Sequence, residues 1–424
     1  MDSQTVAQQM AVSKLLNKQI NVAQMECKNL TIQLSRMKQK NRDATLQSLA
    51  NNCGQLLNAV NLRRYRTLKG HFDKVADVAW LPDDRHVVSA SQDGFLLVWD
   101  SVNGFKKELI ELDDPWVMCC DVSHDGRLVA TGGLENACIV YKISVKGTTP
   151  QLLQSQQGSS ERVRKSSLLS VFKGHKEYIS GLSFLAGSSS QIVTCSGDRS
   201  SILWDTTKGG QVSTFYGHLG DVLSLSPNPA DPNAFVTCSC DRRALIWDTR
   251  SPVSVRRYVS ADNCDASVVR FFPDGHSFAC GMDDGTIKLF DLRSDGDIAT
   301  YGIQNVRQYA MNNGISSISM SPKSFSSNEG AKIAMGSIAG SMESSLESSI
   351  DNPGVISMSF SKSGRLMFVS YAEYSNVMII DTITGKILGS MGGHSDVVSS
   401  IRVSNDGLGV ATGSRDYTVS IWSV

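Results

Sequence analysis

Apolar and polar positions along this chain fall into two regimes. From about residue 62 onward, short apolar runs of strand length recur, and their ends repeat. Val98-Trp99-Asp100, Leu203-Trp204-Asp205, Ile246-Trp247-Asp248 and Leu289-Phe290-Asp291 close four runs, and Ile421-Trp422 closes the last. Val140-Tyr141-Lys142 and Ile379-Ile380-Asp381 are degenerate members, which makes seven. Successive marker positions lie 42, 63, 43, 43, 90 and 42 residues apart, a period near 43 with two long insertions. A fixed period of this size marks a repeat architecture, in which each unit needs neighbours to bury its apolar face.

Polar residues keep the same period. Gly70-His71, Gly174-His175, Gly217-His218 and Gly393-His394 open four units, each His 28 or 29 residues before its Trp. Six residues before the marker stands an acid: Asp93, Glu135, Asp198, Asp241, Asp284 or Asp416. Four residues earlier again comes a small or hydroxyl residue: Ser89, Thr131, Thr194, Thr237, Cys280 or Thr412. The spacing predicts a hydrogen-bonded His–Asp–Ser/Thr–Trp set that ties the strands of each unit together, since a buried carboxylate with several donors rigidifies its surroundings. As a whole this resembles the WD-repeat pattern, four strands per blade, over roughly residues 62–424. The expected fold is all-β, a seven-bladed WD-repeat β-propeller. A strand around Arg66-Thr67-Leu68 precedes the first Gly-His, and the chain ends on a third strand. The first strand can therefore complete the last blade and leave no long free edge.

Residues 1–60 follow another period. They hold no Pro and only Gly54. Leu16, Ile20, Ala23, Cys27, Leu30, Leu34 and Met37 recur at steps of four and three, the seam of a coiled coil. An isolated helix with so short a seam needs a partner to bury it. The alternative is a helix packed on its own propeller. The expected organisation is thus an N-terminal coiled-coil α-helix in residues 1–60, then a propeller over 61–424.

Two insertions interrupt the repeats. Residues 143–170 are rich in Gln, Ser, Thr and basic residues, and residues near 304–353 include ten Ser between 321 and 350. Both read as mobile loops by their low apolar content, and as candidates for phosphorylation. Gly314–Ser321 resembles Gly354–Ser361, and only one of 315–320 and 355–360 can be the inner strand of blade six. The second is expected, because the strand-like Leu366–Ser370 follows it directly.

Charge and chemistry narrow the function. Lys plus Arg and Asp plus Glu both number 41, yet residues 1–70 carry a net +8, leaving −8 on the remainder. This is a basic tail on an acidic body. No basic stripe with interleaved aromatics suggests nucleic acid. The ten Cys form no CxxC pair, and Cys195, Cys238 and Cys280 lie in apolar runs, as buried free thiols in a reducing compartment do. No apolar run reaches the length of a membrane span, and neither end bears a lipidation motif, so membrane attachment is expected only through a partner. Of the seven His, only His86, His124 and His276 fall outside the Gly-His pairs, and they have no metal-ligand spacing. With no nucleophile elbow, phosphate loop or zinc motif, neither an enzyme nor a cofactor is expected. Repetition of the His–Asp–Ser/Thr set across blades argues for architecture rather than a hydrolytic triad.

Longer stretches are more specific. They include Asp43-Ala44-Thr45-Leu46, Arg66-Thr67-Leu68-Lys69-Gly70-His71, Val88-Ser89-Ala90-Ser91-Gln92-Asp93-Gly94, Trp116-Val117-Met118, Thr131-Gly132-Gly133-Leu134, Gly217-His218-Leu219-Gly220-Asp221-Val222 and Phe271-Phe272-Pro273-Asp274-Gly275. With a heptad helix and then seven blades in order, the chain resembles the β subunit of heterotrimeric G proteins. The Ser-rich insertion and the Gln/Ser loop look like the fungal mating-pheromone type. The resemblance implies a γ subunit paired with the helix and carrying the lipid anchor. It implies a GDP-bound α subunit on one face of the propeller, and effectors on that face after nucleotide exchange. The place would be the cytoplasmic side of the plasma membrane, reached through lipidated partners. A WD-repeat scaffold outside G-protein signalling, ribosome-associated or corepressor in type, is the competing reading.

The resemblance also implies contact residues for the α subunit and effectors: Lys74, Leu97, Lys106, Trp116, Met118, Leu134, Asn136, Tyr178, Asp221, Leu223, Asp265 and Asp283. An aromatic and a thioether side by side, Trp116 and Met118, suit a re-usable binding surface. The chain departs from the family at Ala76, Ser267 and Arg415. A plainer alternative makes Asp221, Asp265 and Asp396 loop stabilisers and Trp116 core; Trp80 reads as core.

Overall fold

The computed structural model describes residues 14, 17–33, 36, 60, 62–143, 168–259, 264–294, 296–318 and 353–423. The seam positions Leu16, Leu34 and Met37, the stretch 43–52, and most of both insertions lie outside the described residues. The described residues form seven four-stranded antiparallel sheets. From the inside outward, blade one is β2 (Val75–Trp80), β3 (His86–Ser91), β4 (Phe95–Asp100) and β5 (Lys106–Glu111). Blades two to six follow the same order, beginning on inner strands β6 (Val117–Val122), β10 (Ile179–Phe184), β14 (Val222–Pro227), β18 (Ala266–Phe271) and β22 (Val355–Phe360). Each inner strand packs on the next, and β26 (Val398–Val403) packs back on β2, so the ring closes.

Closure is made by both ends of the propeller sequence. β1 (Arg63–Lys69) pairs antiparallel with β28 (Thr418–Ser423), and with β27 (Gly409–Ser414) the last sheet runs β1-β28-β27-β26. Leu68 is buried against Val75, Leu97, Trp99 and Val419, fixing the register of the closing strand. Pairing β28 on both sides completes the fourth strand of the last blade and leaves the short β1 as its outer edge, as in the other blades.

The repeated polar residues form the expected sets in four blades. In blade three, His175 Nδ1 lies 2.9 Å from Asp198 Oδ2, its Nε2 lies 2.8 Å from Thr194 Oγ1, and Trp204 Nε1 donates to the same hydroxyl at 2.9 Å. His71, Asp93, Ser89 and Trp99 repeat the geometry, as do the sets around His218 and His394. The pattern dictates the tautomer. The carboxylate only accepts, so Nδ1 carries the proton and donates to it; Nε2 of the neutral ring then accepts from the hydroxyl, which itself accepts from the indole N–H. Burial alone would raise the Asp198 carboxyl, but Ser200, the Lys176 amide and His175 together hold it below its ordinary value. Burial lowers His175, keeping the ring neutral as the network requires.

Blade two departs from expectation. Here there is no His to pair with the acid of the turn, and the Glu135 amide donates to Asp114 at 3.2 Å, which also accepts the Trp116 amide at 2.8 Å. Thr131 Oγ1 instead lies 3.5 Å from the Ile139 carbonyl. The insertions are also narrower than expected. Leu168–Lys173, partly assigned above to the loop 143–170, is β9, the outer strand of blade two. Within 304–353, Ile303–Asn312 is a helix whose Ile303, Val306 and Ala310 recur on one face and bury among Tyr371, Tyr374 and Met358. Val355–Phe360 is the inner strand of blade six, as expected, and 315–318 is irregular.

Residues 17–33 form the N-terminal helix, and every one of them is exposed. Ile20 is 45% and Leu30 62% accessible, so this part of the seam is not packed on the propeller. Nine described cysteines are free, six of them buried, and burial pushes the Cys138 and Cys195 thiols up to about 12. No described helix is long and apolar enough to cross a membrane.

Candidate partner-binding face

Each inner strand begins with a β-bulge at its second residue. The register slips at Ala76, Met118, Ser180, Leu223, Ser267, Ile356 and Ser399, once per blade. A bulge leaves one residue unpaired and re-aims its side chain. All seven therefore stand around one mouth of the axial channel. Ser180, Ser267 and Ser399 each donate to a carbonyl of the following blade, at Val222, Val355 (2.8 Å) and Val75 (2.5 Å) respectively. Met118 and Leu223 have no such bond to make and offer apolar surface instead. Two family departures, Ala76 and Ser267, occupy bulges, and a third, Arg415, lines the same cavity beside Lys74.

Outside this ring the face is tied from blade to blade. Asp114 grips the Trp116 amide, and the Leu134 amide donates to the Trp116 carbonyl at 3.2 Å, holding the two side chains together. Trp116 is 56% exposed, Leu134 51% and Met118 38%, which excludes Trp116 as core. Asn136, in a left-handed turn at φ 61°, donates to the Lys176 carbonyl at 3.0 Å and so bridges to blade three. Tyr178 donates to Asp221 at 2.9 Å, bridging to blade four. Burial and this carboxylate push the Tyr178 hydroxyl up to about 12. Beyond it, the Asp283 amide donates to the Asp265 carbonyl at 3.0 Å. Burial, with Asp265 and Asp284 close by, raises the Asp283 carboxyl. This side of the mouth is accordingly acidic, and the Trp116–Leu134 side apolar.

The expected residues do not all lie on this surface. Leu97 is only 1% exposed, packed under Trp99 and Val87 in the core between blades seven and one. On β4 alternate residues point to opposite faces of a blade covered on both sides, so its place in the sequence does not expose it. Lys106 is exposed but sits on the outer flank of blade one, donating to the Gly70 carbonyl at 3.1 Å with its ammonium over the Trp99 ring. Asp396 accepts its neighbour's amide at 2.6 Å and acts as a loop stabiliser.

Sequence reasoning also missed residues. Phe72 is 82% exposed and Leu219 67%. Each follows a Gly-His, and its amide donates to the acid of the set, Asp93 or Asp241, at 2.9 Å. The buried network thereby displays the next side chain on the face. The signal was the repeated position after His, which the pattern marks as readily as the His itself.

The chain is similar in sequence to known proteins. The family model described as G protein beta WD-40 repeat protein matches residues 18–327, and that of the WD domain, G-beta repeat, matches 385–423. The guanine nucleotide-binding protein subunit beta of Saccharomyces cerevisiae is 37% identical over 419 residues, covering 97% of this chain and 92% of that protein. Its namesakes in Zea mays and Arabidopsis thaliana are 31% and 32% identical, each covering 86% of this chain and 84% of the relative.

Proposed function

Because the chain belongs to the G protein β-subunit family of WD-repeat proteins, we propose that it works as one half of a βγ pair whose propeller face alternates between an α subunit and effectors. The observation that carries this is the mouth of the channel. Exposed Trp116, Met118 and Leu134 stand on one side and the half-buried carboxylates Asp221, Asp265 and Asp283 on the other. Large rigid apolar anchors beside charge are the composition of interface hot spots. The side chains are held by Asp114, by the bulges and by inter-blade bonds, so the surface is formed before a partner arrives. One surface that two partners need in turn makes occupancy the switch, and no change of propeller shape is required.

The N-terminal helix supports the other half of the reading. Ile20, Ala23, Cys27 and Leu30 lie along an exposed stretch of helix that water disfavours. A γ subunit with a complementary heptad seam would cover it and bring the lipid anchor to the cytoplasmic face of the plasma membrane. The Ser-rich insertion and the Gln/Ser loop, which resemble the fungal mating-pheromone type, favour a role in pheromone response.

Affinity purification of the full chain from its native cells, in GDP or in a non-hydrolysable GTP analogue, tests this. An α chain should co-purify in GDP and be lost in the analogue, with a small prenylated helical chain present in both. Absence of the small chain from both preparations would refute the reading.

A further inference from the structure

The axial channel holds charge that neither the blades nor the partner face uses. The fifth residue of each inner strand stands at its far level, where Asp121, Arg270 and Arg402 are the ionisable members. Asp121 is occupied: it accepts the Ser183 hydroxyl at 2.6 Å and the Phe184 amide at 2.9 Å. Asp77, higher in the channel, accepts the amides of Val78 and Cys120 and lies 3.6 Å from an Arg402 nitrogen. Arg402 therefore has its counter-charge, and its Nε donates to the Val78 carbonyl at 3.3 Å.

Arg270 has none. Among the described residues it makes no ion pair. One terminal nitrogen donates to the carbonyls of Leu225 and Val269, at 3.0 and 3.1 Å. Its Nε is sealed from solvent without a hydrogen-bond partner. Burial pushes the guanidinium down to about 10 and Arg402 adds to the effect, while Asp77 and Asp121 offset part of it from beyond contact distance. Both carboxylates are committed to other donors, so the half-buried guanidinium keeps N–H groups free to meet an anion.

The channel has room for it. A cavity of about 360 Å³ runs from Lys74 and Arg415 at the mouth, past Asp77, Ser224 and Ser226, to Arg270 and Arg402. Lys74 and Arg415 draw anions to their part of the entrance, against the acidic side at Asp221, Asp265 and Asp283. Guanidinium presents paired donors in the geometry of phosphate oxygens. We propose that the axial channel binds a small phosphate-bearing anion, with Arg270 as its principal ligand and Arg402 as its second.

Full-length protein, purified with the subunit that accompanies it, provides the test. Thermal unfolding and titration calorimetry compare sodium phosphate and a soluble inositol polyphosphate with sodium chloride at matched ionic strength. Co-sedimentation with phosphatidylcholine vesicles, with and without a phosphoinositide, separates a lipid headgroup from a free anion. Phosphate should bind saturably and raise Tm where chloride does not. Arg270→Met should weaken binding at least about tenfold, one charged hydrogen-bonding group's worth. Arg127→Met, in the exposed turn that follows β6, should leave it unchanged. Binding confined to phosphoinositide vesicles and dependent on Arg270 assigns the anion to a headgroup; binding in solution assigns it to a free ligand. Chloride-like behaviour of phosphate and inositol polyphosphate together with no phosphoinositide-dependent sedimentation, or full affinity in Arg270→Met, would overturn the proposal. Should that variant not fold, Arg270→Lys decides: it keeps charge but loses the fork, so weaker binding supports the site and unchanged binding sinks it.

Discussion

At the scale of the residue, one hydroxyl serves two partners. Thr237 Oγ1 lies 2.7 Å from His218 Nε2 and accepts from Trp247 Nε1 at 2.8 Å, all fully or almost fully buried. Thr237→Val keeps the shape and strands both groups, which should cost about 2–4 kcal/mol. A loss below about 0.5 kcal/mol in chemical denaturation would show that water replaces the hydroxyl. The carboxylates set the pH response. Asp93, Asp198, Asp241 and Asp416 all titrate below their ordinary value of 3.8 in the folded chain. The unfolded chain thus binds more protons, so their stabilisation is complete above about pH 4 and is lost as pH falls through the folded values. His175, lowered from 6.5, acts in the same direction at higher pH, because acid must charge a ring that the fold keeps neutral. Stability measured against pH should therefore fall gently below about pH 6.5 and steeply below 4. In Asp198→Asn the steep limb should flatten; an unchanged profile would remove that carboxylate from the response.

At the scale of the element, the strands follow from alternation and repeat spacing, and the bulges do not. Nothing in Val75-Ala76-Asp77 or Val117-Met118-Cys119 announces that the second residue leaves the ladder. The bulge arises where the inner strand meets the neighbouring blade. Leu97 illustrates the same limit, since its burial depends on β1, β2 and β28 closing over it from both ends of the chain. The helix Ile303–Asn312 was concealed by polar residues between Ile303, Val306 and Ala310, which matter only because Tyr371 and Tyr374 wait beneath them. For the N-terminal helix, Leu30→Asp with Leu34→Asp should abolish co-purification of the small subunit by placing charge in the seam. Normal pairing in that double variant would argue against a coiled coil.

At the scale of the whole molecule, ring closure and the partner face belong together. Deleting residues 1–69 removes β1 and leaves β28 unpaired on one side. Such a protein should aggregate and unfold at a Tm well below that of the full chain; equal Tm would mean that β1 does not hold the ring. Trp116→Ala, by contrast, should weaken α-subunit binding by about 1–3 kcal/mol and leave Tm unchanged, because its side chain is largely in solvent. An unchanged Kd would take Trp116 out of the interface. The seven blades and the four complete His–Asp–Ser/Thr–Trp sets were legible in the amino-acid sequence, because period, alternation and donor–acceptor spacing act within some forty residues of chain; the closing strand was legible only from the count of strands, since β1 and β28 meet from opposite ends of the chain. The tertiary fold set which side chains reach the mouth and which charges lack a contact partner. Those depend on contacts such as Ser400 with Asp77, 323 residues apart, and on bulges and burial that exist only once neighbouring blades meet.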